Sequence, residues 1–233
     1  MESTPRYAIY HVPGQFSELN TFGTRWLGRD MISGRELSPE GFGKLTAEMV
    51  RSITEKPRHY GLHATLKAPF MLHEDMTVDD LDLAVRKLAS VRKGVVMPRL
   101  RLRRLGKFLA LRPEHPSPEL NSLAEACVTE LDRFRRRMPH WEVSKRVAAG
   151  LSAHQEDMLA RWGYPYVLDE FHFHLTLTDP LEPELFAIVQ EELEKDVDAL
   201  PLDDIHVDSI CLCWQEDRKS PFVLLERYPL LEE

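Results

Sequence analysis

Tyr60-Gly61-Leu62-His63-Ala64-Thr65-Leu66-Lys67-Ala68-Pro69-Phe70 is the stretch on which the fold turns, because it reads as a strand with two chemically different faces. In an extended chain successive side chains alternate sides. Gly61, His63, Thr65 and Lys67 therefore share one face, and Leu62, Ala64, Leu66 and Ala68 share the other. The pattern returns in Phe171-His172-Phe173-His174-Leu175-Thr176-Leu177-Thr178. Here His172, His174, Thr176 and Thr178 stand together, backed by Phe171, Phe173, Leu175 and Leu177. A single His-x-Thr tripeptide describes any half-buried strand with a hydrogen-bonded histidine. Two of them, remote in the chain and each backed by an apolar row, point to a shared polar site.

The segments around the motifs supply a mixed architecture. Tyr7-Ala8-Ile9-Tyr10 reads as a first strand closed by Pro13-Gly14, and Phe16, Leu19, Phe22 and Trp26 fall near helical spacing. Ser38-Pro39-Glu40 has the form of a helix start, with Pro at the first helical position. Thr77-Val78-Asp79-Asp80 caps a helix carrying Leu81, Val85 and Leu88. Residues 95–102 and 108–111 read as two strands joined around Gly106. Ser117-Pro118-Glu119 starts a helix with Leu120, Leu123, Cys127, Leu131 and Phe134 on its buried stripe. Residues 152–162 read as a helix, followed by the aromatic loop Trp162-Gly163-Tyr164-Pro165-Tyr166. Residues 171–178 form the second motif strand, 184–197 a helix, and 205–214 with 222–228 a final strand pair. The order strand, helix, motif strand, helix, strand, strand recurs in outline after Ser117, and the fold class is α+β with largely antiparallel sheets.

Composition bounds the function. The chain has 233 residues, of which 43% are hydrophobic and 29% charged, enough to bury a core. No run approaches the ~18–20 apolar residues of a membrane span, and the first ten residues lack a signal-peptide pattern. Cys127, Cys211 and Cys213 make no disulfide framework, and Cys211-x-Cys213 lacks zinc-pair spacing, so the expectation is a cytoplasmic protein. A net charge of −8 argues against a binder of long nucleic acid. It leaves room for a small anionic substrate in a local basic pocket. Arg99, Arg101 and Arg103 alternate with Leu100 and Leu102; such a run is ordinarily a solvated face, and on a strand its three guanidinium groups share a side.

Phosphodiester cleavage gives the two motifs a reason to exist. The reaction needs a base to take a proton from water or a hydroxyl and an acid to protonate the departing oxygen. Histidine serves as either near neutral pH. Each threonine sets a hydroxyl beside an imidazole, able to donate to phosphoryl oxygens as charge gathers there. Lys67, on the same face, is read as a phosphate contact. No metal or cofactor is required.

These motifs resemble those of the two-histidine (2H) phosphoesterase superfamily, which includes RNA 2′,5′-ligase-like proteins and cyclic phosphodiesterases, and more closely its phosphonate-operon-associated branch. The resemblance also covers Phe22-Gly23-Thr24-Arg25-Trp26-Leu27-Gly28 and Trp162-Gly163-Tyr164-Pro165-Tyr166-Val167. It implies one bilobal domain over residues 1–233, with two similar lobes facing a central cleft. It implies catalytic roles for His63, Thr65, His174 and Thr176. The branch's genomic association implies a small sugar cyclic phosphate, such as a phosphorylated ribose 1,2-cyclic phosphate, as substrate, and the expected state is a monomer.

Several residues stand beside these. His172 is a departure from the superfamily tripeptide. It is read as a substrate contact at the cleft edge, the alternative being a metal pair His172-x-His174 completed by His63. Tyr164 and Tyr166 are read as cleft-lining platforms for a sugar or base. Arg146 and Gln155 are read as helix-surface residues, with a phosphate role as the alternative. Two further functional readings stand beside hydrolysis of a cyclic diester: a non-catalytic binder of a phosphorylated metabolite or RNA end, and an RNA 2′,5′-phosphodiesterase or ligase-like activity.

Overall fold

Between its polar ends Arg6 and His11, strand β1 (Arg6–His11) is apolar because both of its faces are covered. Tyr7 and Ile9 join the main core, while Ala8 and Tyr10 join a smaller cluster with Val12, Met31, Cys211, Cys213 and Phe222 on the opposite side. The computed structural model describes residues 4–38, 40–148 and 150–232.

After β1 come α1 (Glu18–Leu27), α2 (Ala47–Ile53), α3 (Glu55–Tyr60) and β2 (Ala64–Phe70). Next are α4 (Val78–Ala89), β3 (Val95–Met97), β4 (Leu100–Leu105), β5 (Phe108–Pro113) and α5 (Pro118–Glu130). The chain closes with α6 (His140–Val147), α7 (Ala153–Trp162), β6 (Leu175–Thr176), α8 (Pro183–Asp198), β7 (Ile205–Val207), β8 (Ser209–Gln215) and β9 (Val223–Pro229). A seven-stranded sheet runs β4-β5-β6-β2-β1-β8-β9, and β3 pairs with β7 in a two-stranded sheet. Every pairing between named strands is antiparallel. The α+β reading with mainly antiparallel sheets is therefore met. Among the described residues no helix is long and apolar enough to cross a membrane.

The two motif strands, β2 and β6, are neighbours at the middle of the large sheet, joined through Ala64↔Leu175. Where the resemblance implies two lobes facing each other, the motifs thus meet side by side in one continuous sheet. Helix α1 pins both. The Trp26 indole N–H donates to the Leu177 carbonyl at 2.7 Å. Gly23 lies so close to Leu62 that an added Cβ would sit 2.2 Å from a Leu62 methyl. This is the physical content of the Phe22–Gly28 stretch.

Four sequence expectations are corrected. The helix expected at Ser38-Pro39-Glu40 is absent at Ser38 and Glu40, with Pro39 outside the described residues. Gly41 and Gly43 interrupt that segment, Gly43 taking φ +53°, and the next helix waits for Thr46, whose hydroxyl caps α2. The strand expected over 95–102 divides at Pro98, which has no N–H to keep a ladder going, so β3 and β4 belong to different sheets. The second motif strand shrinks to Leu175–Thr176. Leu177 and Thr178 both donate to the Leu109 carbonyl, which ends the regular pairing. Phe16, placed in the first helix from its spacing, precedes α1 and is 93% exposed.

Candidate active site

The pair Ala64↔Leu175 sets the chemistry of one sheet face. Ala64 and Leu175 point into the core, so in an antiparallel ladder their flanking residues point the other way. Continuing the register puts His63 opposite Thr176 and Thr65 opposite His174, with the two histidines on a diagonal. Diagonal positions on such a ladder have Cβ atoms about 7–8 Å apart or somewhat less, a gap that suits one phosphoryl group. All four side chains line one cavity of about 490 Å³.

Each imidazole is held in the same way. His63 Nδ1 lies 2.8 Å from the Gly61 carbonyl, and His174 Nδ1 lies 2.7 Å from the His172 carbonyl. A carbonyl only accepts, so each Nδ1 carries the proton and each Nε2 is the working nitrogen. The Thr65 hydroxyl stands 3.3 Å from His63 Nε2. Tyr10 packs against the His63 ring with centroids 4.0 Å apart, and its buried hydroxyl has no hydrogen-bond partner among the described residues.

Desolvation favours the neutral form of both half-buried rings. Desolvation lowers the His63 pKa to about 4, against the backbone bond to Gly61, and the nearby His174 lowers it further. Desolvation also lowers His174, with Arg112 and His172 adding to it. Arg6, Lys56 and Arg146 line the cleft, and Asp179 is its one acid among the described residues. The cleft is a cationic pocket in an acidic chain.

Gly61 is a backbone requirement. It closes α3 with φ +73° and ψ 175°, a region essentially reserved for glycine. An added Cβ would sit 2.5 Å from the Met31 Cβ. Gly61→Ala is expected to cost about 1–3 kcal/mol, seen as a fall in Tm of about 2–4 °C per kcal/mol for a chain of this size. Because the displaced carbonyl is the one that orients His63, catalysis should drop with stability.

The other expected site residues divide. Tyr164 lines the cleft, and burial pushes its phenol up to about 12. Tyr166 does not line it; 47% exposed, it packs edge-on against Tyr164. Arg146, read chiefly as a helix-surface residue, lines the cleft, whereas Gln155 bonds Glu170 and completes the α7 cap. His172 is exposed and lines a neighbouring cavity with Arg103 and Arg112. It does not converge with His63 and His174 as a third metal ligand would.

Lys67 is a correction. Tyr10 pairs with Thr65 but Ile9 with Lys67, so β2 carries an extra residue at Leu66. That bulge breaks the alternation: Thr65 and Ala68 line the cleft while Lys67 turns to the core side. Its ammonium is buried, donating to the Val128 carbonyl at 3.0 Å and lying 3.5 Å from Asp132. Desolvation lowers its pKa to about 8, with Asp132 opposing the shift. Lys67 fastens β2 to α5 instead of touching phosphate.

Sequence reading missed Arg6, Tyr10, Lys56 and Tyr60. Tyr10 and Arg6 enter through the pairing of β1 with β2 and β8, and Tyr60 through stacking on Phe222 at 5.3 Å. A long-range pairing leaves no local mark. Only the adjacency of Tyr60 to the first motif was available.

Comparison with known proteins adds the following. Residues 65–223 match the family model described as Protein of unknown function (DUF1045). The ribose 1,5-bisphosphate phosphokinase PhnN of Janthinobacterium sp. (strain Marseille) is 35% identical over 235 residues, covering 98% of this chain and 51% of that protein. The PhnN of Laribacter hongkongensis (strain HLHK9) is 34% identical over 178 residues, covering 76% and 40%. The chain thus spans about half the length, or less, of the curated relatives it matches. Among solved structures, E. coli LigT complexed with 3′-AMP is 14% identical with a TM-score of 0.45, covering 98% of this chain and 99% of that one. TT0787 of Thermus thermophilus is 15% identical with a TM-score of 0.47 over the same shares. The phosphonate-associated branch named from the motifs fits the family match and the PhnN-named relatives.

Proposed function

The chain belongs to the DUF1045 family, and from that premise we propose that its cleft is a metal-independent phosphodiesterase site that opens the cyclic phosphodiester of a small sugar phosphate or nucleotide. The observation that supports this most is the matched pair of imidazoles, each with Nδ1 on the carbonyl two residues upstream, which leaves each Nε2 without a proton and able to exchange one, that of His63 beside the Thr65 hydroxyl. The kinase activity in the relatives' name belongs to proteins about twice as long. This chain contains no Gly-x-x-x-x-Gly-Lys-Ser/Thr loop of the kind that cradles nucleotide phosphates. Their phosphorylated-sugar substrate is in keeping with a small sugar phosphate here.

His63, the more strongly depressed of the two, takes the base role, and His174 the acid role. His63 Nε2 removes a proton from water as the oxygen attacks phosphorus. The ester P–O bond breaks, and the leaving oxygen receives the proton from His174 Nε2. The product is a phosphomonoester, with the proton now on His63, and exchange with solvent restores the starting pair. Thr65 and Thr176 donate to the non-bridging oxygens. Arg6, Lys56 and Arg146 hold negative charge in the pocket.

The pH dependence follows with its sign. Neutral His63 is required, so activity rises as pH rises through about 4. Protonated His174 is required, so activity falls as pH rises through a value below 6.5. The expected profile of kcat/KM is a bell on the acid side of neutrality. In kcat both limbs move to higher pH, because bound phosphoryl charge favours imidazolium. A profile flat to pH 9 would contradict this division of roles.

The reaction itself is tested by 31P NMR on EDTA-treated protein, offered 2′,3′-cyclic nucleotides, ribose cyclic phosphates and 2′,5′-linked dinucleotides. Ring opening unaffected by EDTA is expected. Inhibition by EDTA reversed by zinc or manganese would replace the reading with metal hydrolysis, and binding without turnover would make the protein a sensor. Turnover of the 2′,5′ linkage alone would select the RNA-end activity.

A further inference from the structure

The cleft is not the end of the polar face. β5 pairs with β6 through Ala110↔Thr176 and Leu111↔Leu175, which puts Arg112 opposite His174 on the cleft side. β4 pairs with β5 through Arg101↔Arg112 and Arg103↔Ala110, which brings the alternating arginines noted in the sequence to that same side. Directly opposed residues on such a ladder have Cβ atoms about 4.5–5.5 Å apart. A guanidinium band therefore adjoins the second motif. Beside it lies a cavity of about 350 Å³ whose lining includes Arg103, Arg112, His115, His172, Ser117 and Asn121.

The charges of this cavity are poorly matched. Glu114, its one acid among the described residues, lies 3.6 Å from Arg101, and Arg99 is paired with Asp203. Arg104 lies over the Phe186 ring at 4.4 Å. Among the described residues the Arg103 guanidinium donates only to its neighbour's carbonyl, Leu102, at 3.2 Å. The Arg112 guanidinium forms no hydrogen bond or ion pair with any described residue. Two guanidinium forks without carboxylate partners, lining one cavity, are built for an oxyanion that accepts several hydrogen bonds. Desolvation lowers His174 most, and Arg112 and His172 add to it, in keeping with the position of Arg112 opposite His174.

We propose that this cavity is a second anion subsite, in which Arg112 and Arg103, flanked by His172 and His115, hold a phosphate monoester on the non-reacting end of the substrate. His172 and His174 are two residues apart, at most about 7 Å along the chain, a span that a pentose bridges. The inference rests on the phosphodiesterase reading for the identity of the reacting end, and it turns His172 from a cleft contact into a contact for the distal phosphate. It narrows the substrate class to cyclic diesters that carry a second phosphate.

Ribose 5-phosphate, which has a monoester and no diester, tests the subsite independently of turnover. By calorimetry the intact protein is expected to bind it. The double variant R103Q/R112Q should bind at least about tenfold more weakly, while His63→Gln binds as the parent does. Thermal melts matching the parent would show that the variants fold. In turnover, R103Q/R112Q should raise KM for a 5′-phosphorylated 2′,3′-cyclic nucleotide at least about tenfold more than it raises KM for the 5′-hydroxyl counterpart. No binding of ribose 5-phosphate, binding lost in His63→Gln and kept in R103Q/R112Q, or equal KM shifts for the two nucleotides would each overturn the proposal. Binding as expected with no turnover of either nucleotide would leave the subsite standing and sink the phosphodiesterase reading alone.

Discussion

Replacing His63 or His174 by glutamine is expected to lower kcat by about 10³-fold, within the range for loss of a positioned acid or base. KM should change little, because neither imidazole is the main source of binding charge in a cleft that also holds Arg6, Lys56 and Arg146. The fold should survive: both rings are only half-buried, and the strands beneath them are held by core residues and by α1. The two substitutions together should cost little more than either alone, since base and acid act in one step. Steady-state kinetics on the panel substrate checks this. A variant that keeps more than a tenth of parental kcat would remove that histidine from the mechanism.

Thr65→Val and Thr176→Val are each expected to lower kcat by about 10²-fold, the effect of removing one donor to a developing oxyanion. Valine keeps the shape and removes only the hydroxyl. For Thr65 part of the loss comes through His63, whose Nε2 lies 3.3 Å from the hydroxyl. The serine variants should recover most of the rate. Equal effects on kcat and kcat/KM would place the contacts in the transition state. A rise in KM alone would make the threonines simple binding residues.

The parts of the site that were legible in the sequence are those that follow from local periodicity. Alternation put each histidine and its threonine on one face, and Ala64 and Leu175 on the other, because β structure has period two. Antiparallel pairing then needed only one register to bring four side chains together. The helix caps at Thr77 and Ser117 were legible for the same local reason, a hydroxyl three residues before the amide it bonds. What failed lay beyond local pattern. A one-residue bulge opposite β1 reversed Lys67, and no feature of residues 60–70 marks it. Pro98 was overlooked as a ladder breaker in an otherwise strand-like run. Tyr10 and Arg6 reach the cleft only because β1 sits next to β2 and β8, a consequence of pairing across much of the chain. The arginine band was noticed as a face but could not be placed beside His174 until β4, β5 and β6 were known to be neighbours.

The most direct measurement is a crystal structure of the protein soaked with vanadate or sulfate. The account predicts an anion seated between His63 Nε2 and His174 Nε2, within about 2.6–3.2 Å of both nitrogens, with the Thr65 and Thr176 hydroxyls on its oxygens. An anion held only by Arg103 and Arg112, or histidine side chains turned away from a shared centre, would contradict it.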